Sequence, residues 1–348
     1  IKVSLLWGDG PKDRKTVTIK KIGGEYKTYG FSFKAGANTD EAKLEIVGTG
    51  TGKFKIGTAS IMPADNIKGF RRDTLALLKE LNSPVYRWPG GNFVSGYDWR
   101  DGVGPRDKRP PRTNPAWTGM EYNDVGLAEF IEFCRLLDSE AYIAVNTGKG
   151  SVEDAGAEVE YCNGSTDTPM GKWRAENGSK KPFGVKFWAV GNEMYGGWQL
   201  GHMPLAEYVK KHNKVAEAMW KADPDAVLVA VGAVGKWTEE TLKNCADYMT
   251  HISEHFYCQS RGDITAHVAQ IPDRVKQIAD AHRRYRRDIN TLEGKNIRIA
   301  LDEWNYWYGP HPYGELGTRY FHRDALGIAR GLHEYFRNSD LYWMANYA

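Results

Sequence analysis

The chain has 348 residues, 41% hydrophobic and 26% charged, enough for a large buried core and unlike a disordered or fibrous protein. Its 47 basic and 44 acidic side chains leave a net charge of +3, so no strong field recruits nucleic acid or an anionic membrane. No run approaches the ~20 apolar residues of a membrane-crossing helix. The densest basic stretch, Arg283 to Arg287, falls in a helical pattern and reads as a solvated face. Cys134, Cys162, Cys245 and Cys258 lack the close pairing of a zinc site or dithiol motif, no metal-ligand spacing is present, and no cofactor is expected. The chain shows no signal peptide, which says nothing here because it opens at Ile1 and not at a methionine.

Residues 1 to 62 carry alternating β-favouring runs, Lys15 to Ile19 and Lys43 to Val47, and glycine-rich turns such as Gly48 to Gly52. They read as part of a β-sandwich. A turn-rich junction from Ile61 to Asn66 leads into an amphipathic helix from Gly69 to Leu81, and the second domain is expected over 66–348. From there strands at 84–88, 141–146, 185–190, 226–232, 251–256, 297–302 and 340–345 alternate with helices near 123–138, 152–162, 204–221, 237–248, 264–290 and 322–337. This order calls for parallel strands covered by helices. Seven strands suit either an incomplete (β/α)8 barrel or an open doubly wound sheet, and the absence of a glycine-rich phosphate loop after the first strand favours the barrel. The connection from Trp88 to Tyr122, rich in Gly, Pro and Arg, is long enough to build a binding site.

Two of these strands end in a glutamate: Ala189-Val190-Gly191-Asn192-Glu193-Met194 and Ile299-Ala300-Leu301-Asp302-Glu303-Trp304-Asn305. Catalytic groups of such barrels sit at the carboxyl ends of strands, so three βα units between the two would set Glu193 and Glu303 across one mouth. Paired carboxyls are what glycosidic cleavage needs, one as acid and one as nucleophile or base. As the acid, Glu193 is expected to have a raised pKa, through burial or repulsion by Glu303. The amide of Asn192 is suited to a substrate hydroxyl. Arg87, closing a strand, is the cation that would keep Glu303 ionised, Gly90 and Gly91 allow a tight path that aims Asn92 into the cleft, and Tyr257 can hold the nucleophile. His255 shares a strand face with Tyr257 and is expected to be a buried structural histidine. Of the 12 Trp and 19 Tyr more than half are expected to pack the core, and those in loops at strand ends suit sugar stacking, a weak addition to the carbohydrate reading.

Three segments, Tyr86-Arg87-Trp88-Pro89-Gly90-Gly91-Asn92-Phe93, Val190-Gly191-Asn192-Glu193-Met194 and Asp302-Glu303-Trp304-Asn305 with Trp307-Tyr308, resemble the α-L-arabinofuranosidases of glycoside hydrolase family 51, as does the loop Gly96-Tyr97-Asp98-Trp99-Arg100-Asp101-Gly102. The resemblance runs from about residue 69 to the end. It implies a retaining mechanism with Glu193 as acid/base and Glu303 as nucleophile, carboxyls ~5 to 5.5 Å apart, and Arg87, Asn92, Asn192, Tyr257 and Trp307 around a terminal arabinofuranose. Trp99 is assigned to the same pocket. Residues 1 to 62 look like a carbohydrate-binding-like sandwich of longer members. The family's first barrel strand, with a further sugar-binding glutamate, would precede Ile1, and its C-terminal β-sandwich would follow Ala348. The chain is therefore expected to be a fragment with weak or no activity of its own.

The expected partners are arabinoxylan, arabinan or arabino-oligosaccharides, with no nucleic acid and no membrane; homo-oligomerisation is left open, and plant-polymer substrates favour an extracellular or periplasmic setting. The alternatives are another retaining barrel glycosidase, an endoglucanase or xylosidase, and a non-catalytic carbohydrate-binding protein. No nucleophile elbow or phosphate loop supports acyl or phosphoryl transfer.

Overall fold

The computed structural model describes residues 1–309 and 319–348. The polypeptide divides into two compact units, Ile1–Ala76 and Leu77–Ala348. In the first, β1 (Lys2–Leu6) is the central strand of an antiparallel sheet between β2 (Arg14–Thr18) and β3 (Lys43–Val47). It is one layer; the second layer of a complete sandwich is not found among the described residues. Helix α1 (Arg72–Leu81) carries the chain into the second unit.

There, β4 (Val85–Trp88) leads through a long connection, with the small hairpin β5 (Arg112–Thr113) and β6 (Met120–Glu121), into α2 (Leu127–Leu136). Then follow β7 (Glu140–Ala144), α3 (Val152–Asn163), α4 (Pro169–Glu176), β8 (Phe187–Val190), α5 (Leu205–Ala222), β9 (Val227–Ala230), α6 (Lys236–Cys245), β10 (His251–Cys258), α7 (Ile264–Asp288), β11 (Arg298–Tyr306), α8 (His322–Arg337) and β12 (Tyr342–Tyr347). Seven parallel strands in the order β4-β7-β8-β9-β10-β11-β12 curl into a nearly closed (β/α)8-type barrel. Period-two alternation sorts their side chains: Tyr142, Ala144, Ala189, Val229 and Ala300 fill the interior, while Ile143, Trp188 and Leu228 pack outward with the helices.

Every strand and helix expected in this unit is present, within a few residues at the ends. Helix α4 is additional. Its start is marked by Thr168, whose hydroxyl accepts from the Gly171 N–H at 3.2 Å, and by Pro169 in the first turn, signals that its weakly apolar sequence does not reinforce. Strand β11 runs past its expected end and carries a bulge. Against β10, Ser253 pairs with Ala300 and His255 with Glu303; against β12, Leu301 pairs with Ala345 and Trp304 with Tyr347. One extra residue is thus accommodated in β11 on both sides, which breaks the alternation at Asp302 and Glu303. Among the described residues, no helix is long and apolar enough to cross a membrane.

Leu228 is completely buried among the outward-facing core residues, whereas Leu77 lies exposed on α1. Leu228→Ala is expected to cost about 2–5 kcal/mol in denaturant unfolding, and Leu77→Ala no more than about 0.5 kcal/mol.

Candidate active site

Five strands or the loops directly after them contribute to one cluster over the carboxyl rim. Glu193 follows β8, the third barrel strand, and Glu303 lies on β11, the sixth, so three βα units separate them as anticipated. One oxygen of each carboxylate and Nδ1 or Nε2 of His255 lie within 4.8 Å of one another. Gly191 makes the approach to Glu193 possible: its φ is +100°, and a Cβ there would sit 1.9 Å from Thr147 Oγ1. Glu193 itself is left-handed, with φ +42°.

The two carboxylates are held differently. Glu303 accepts from Arg87 Nη1 at 3.1 Å through Oε2 and from the Tyr257 hydroxyl at 2.7 Å through Oε1. Glu193 accepts from Trp198 Nε1 at 2.6 Å through Oε2, while Oε1 takes the Tyr195 hydroxyl at 3.4 Å and faces His255 Nδ1 at 3.0 Å. Beneath both lies Asp302. Its oxygens receive Ser253 Oγ at 2.5 Å, Tyr142 Oη at 2.7 Å and His255 Nε2 at 2.9 Å, and Arg87 Nε stands 3.4 Å away. The Asp302 side chain is only 1% exposed.

Both ring nitrogens of His255 face carboxylate oxygens, and neutral imidazole has only one N–H to offer them. Burial works against the imidazolium, but Glu303 and Asp302 prevail and raise His255 to about 10. Burial likewise pushes Asp302 up, yet Arg87 and His255 hold it well below the usual carboxylate range. Glu193 departs from the expectation of a raised value. Its burial is outweighed by the hydrogen bond and charge of His255, helped by Trp198 and Arg87, and its pKa is lowered. The trio Glu193, His255 and Glu303 has the donor types of a metal site, and here both ring nitrogens of His255 are already turned to carboxylate oxygens.

Arg87, Asn192, Tyr257 and both glutamates are therefore brought together. Asn192 accepts from Arg87 Nη2 at 2.5 Å and donates to Gln199 Oε1 at 3.2 Å, using one of its two N–H groups. Trp307 stands edge-on to Tyr257, with ring centroids 5.4 Å apart. Asn92 does something else: its amide donates to the Trp198 carbonyl and accepts from the Leu200 N–H, both at 2.7 Å, so it secures the loop after Glu193. Trp99 is not among the carboxylates. The loop after β4 winds into a short 3-10 turn, Trp99–Gly102, which turns the indole into the core against Tyr161 and Trp173. His255, expected as a structural residue, is the link between Glu193 and Asp302, because β10 points it and Tyr257 to the same side. Sequence reasoning assigned no role to Asp302, Tyr142, Ser253, Tyr195 or Trp198. Only Asp302 carried a signal, its place next to Glu303.

A nearly closed parallel barrel with two carboxyls juxtaposed over its carboxyl rim is an arrangement that glycoside hydrolases use. A family model described as "Alpha-L-arabinofuranosidase 1 domain" matches residues 77–286. The chain is 39% identical over 298 residues to a probable α-L-arabinofuranosidase C of Aspergillus terreus, covering 80% of this chain and 59% of that protein. It is 38% identical over 255 residues to an intracellular exo-α-(1→5)-L-arabinofuranosidase of Acetivibrio thermocellus, covering 69% and 50%. The crystal structure of α-L-arabinofuranosidase from Thermotoga maritima in its arabinose complex superposes with a TM-score of 0.78 at 37% identity, covering 82% and 59%. The chain belongs to glycoside hydrolase family 51, the α-L-arabinofuranosidases. It spans between half and three fifths of the length of these relatives.

Asp302→Asn leaves Arg87 and His255 short of their buried counter-charge and is expected to destabilise the protein by about 3–5 kcal/mol in denaturant unfolding. His255 ionises near 10 in the fold against 6.5 ordinarily, so its contribution is complete below pH 6.5 and fades as pH rises toward 10. The melting-temperature gap between the wild type and His255→Gln is expected to narrow over that interval.

Proposed function

We propose that the protein is a retaining, exo-acting α-L-arabinofuranosidase releasing terminal arabinofuranose from arabinoxylan, arabinan or arabino-oligosaccharides. The observation that carries this reading is the approach of carboxylate oxygens of Glu193 and Glu303 to within 4.8 Å. Retaining glycosidases hold their carboxyls ~5–5.5 Å apart, whereas inverting ones leave ~6.5–9.5 Å for a water. The exo assignment takes its support from the name of the Acetivibrio thermocellus relative.

Glu303, held by Arg87 and Tyr257, is the nucleophile. It attacks the anomeric carbon as the bond to the leaving oxygen breaks, forming a glycosyl ester. Glu193 gives that oxygen a proton, then takes one from the water that cleaves the ester and regenerates the Glu303 carboxylate. A depressed Glu193 still serves because the proton it needs lies on His255 Nδ1, 3.0 Å from Oε1. Transfer along that line makes Glu193 the acid and leaves neutral His255 donating through Nε2 to Asp302.

Any turnover of p-nitrophenyl α-L-arabinofuranoside by this chain, expected to be weak, is expected to be lost in Glu303→Ala, and proton NMR to find the first-formed sugar with the substrate's anomeric configuration; inversion would end the retaining assignment. In the wild type, kcat/KM is expected to persist into alkaline pH. In His255→Gln the cation that depresses Glu193 is gone, and the proton must reside on a buried glutamate, so the alkaline limb is expected to move several pH units toward acid.

A further inference from the structure

A second concavity lies on the same side of the barrel as the carboxylates. Its walls come from the connection after β4 (Asp98, Arg100), the turn after β7 (Lys149) and the first turns of α3 (Asp154, Glu158), and they enclose about 240 Å³. Since β4 and β7 are neighbours and both segments follow their carboxyl ends, the cavity shares the rim that bears Glu193. Loop contacts tie the two places together. The Lys149 N–H donates to the Ser95 carbonyl at 3.1 Å, and Asn92, in the same connection, grips Trp198 and Leu200.

The wall carries an unusual group. Glu158 is 4% exposed, and its carboxyl takes no side-chain or backbone hydrogen bond among the described residues. Burial drives its pKa far upward, with Arg100 opposing and Asp98 and Asp154 adding to the effect, which favours the neutral acid, with one O–H to donate and oxygens to accept. A hydroxyl entering the cavity can give this carboxyl the hydrogen bond that no side chain of the wall supplies. Around it the charges balance. Arg100 pairs with Asp154 at 2.8 Å and with Asp98 at 3.4 Å, and exposed Lys149 supplies a further ammonium.

With two cations, two anions and a neutral acid on the wall, an anionic guest would meet Asp98 and Asp154 and a cationic one Arg100 and Lys149. A neutral molecule with several hydroxyls satisfies both kinds of group. The volume lies below the ~300–1,000 Å³ of drug-sized pockets and suits a single sugar ring. We propose that this cavity is an accessory sugar subsite that takes one pentose unit of the oligosaccharide whose terminal arabinofuranose is presented to Glu193 and Glu303. In this respect it rests on the function proposed above.

The test is isothermal titration of α-1,5-linked arabinotriose, and separately of L-arabinose, into the Glu303→Ala protein, where turnover is blocked. Adding Glu158→Leu is expected to raise the arabinotriose Kd roughly tenfold, the equivalent of one or two hydrogen bonds, and to leave the arabinose Kd unchanged. Glu158→Gln, which keeps a donor and an acceptor, is expected to retain most of the affinity. Should Glu158→Leu fail to fold, Lys149→Ala on the exposed rim gives the same reading, with a loss of a few fold. An arabinotriose Kd that is the same in the folded variants, or equal losses for arabinose and arabinotriose, overturns the subsite. Hydrolysis of the aryl arabinofuranoside by the wild type separates the two proposals. If it occurs without Glu158-dependent binding, only the subsite fails; Glu158-dependent binding without hydrolysis leaves the cavity a sugar site whatever the chain's own turnover.

Discussion

The mouth of the barrel is organised around one carboxylate that water scarcely reaches. Placing Asp302 in the interior carries a desolvation penalty of several kcal/mol, which only well-aligned opposite charges and donors offset. Those partners come from the rest of the barrel: Arg87 from β4, Tyr142 from β7, and Ser253 and His255 from β10. Each partner also does a second job or fixes a neighbour that does. Arg87 reaches Glu303 and Asn192, and His255 reaches Glu193, so satisfying one buried charge fixes the orientation of both rim carboxyls.

This arrangement depends on the bulge in β11. In an unbroken strand, Asp302 and Glu303 would face opposite sides, one toward the interior and the other toward the helices. The extra residue lets both lie within reach of Arg87, at 3.4 and 3.1 Å. An arginine between two adjacent carboxylates, with a histidine serving the same pair from β10, is a compact way to keep one acidic group ionised while a proton remains close to another.

Much of this was legible from local pattern. Continuous apolar runs closed by Gly191 and Asp302 mark buried strands, and a glutamate at the end of two such runs locates the rim, as do Arg87 and Tyr257 by the same logic. What was not legible depends on contacts between segments far apart in the chain. A register shift leaves no compositional trace, so the joint placement of Asp302 and Glu303 was hidden. His255 reads as a core residue because strand position gives its side but not its neighbours. Trp99 reads as a loop aromatic until the 3-10 turn shows which way the ring points, and Asn92 falls near the cleft yet spends its amide on the backbone of a neighbouring loop. The direction of the Glu193 shift followed the same rule: burial is visible in sequence, but a cation arriving from β10 is not.

The left-handed backbone at Glu193 has its own meaning. A Cβ crowds the backbone carbonyl at φ +42°, and glycine or asparagine would occupy it with less strain. Strain of this kind is kept where the surroundings hold it in place, and here it sets the Glu193 carboxyl against Trp198, Tyr195 and His255. Attempts to make this protein hardier by consensus or backbone-relaxing changes should leave residue 193 untouched and seek their gains in the helices outside the barrel.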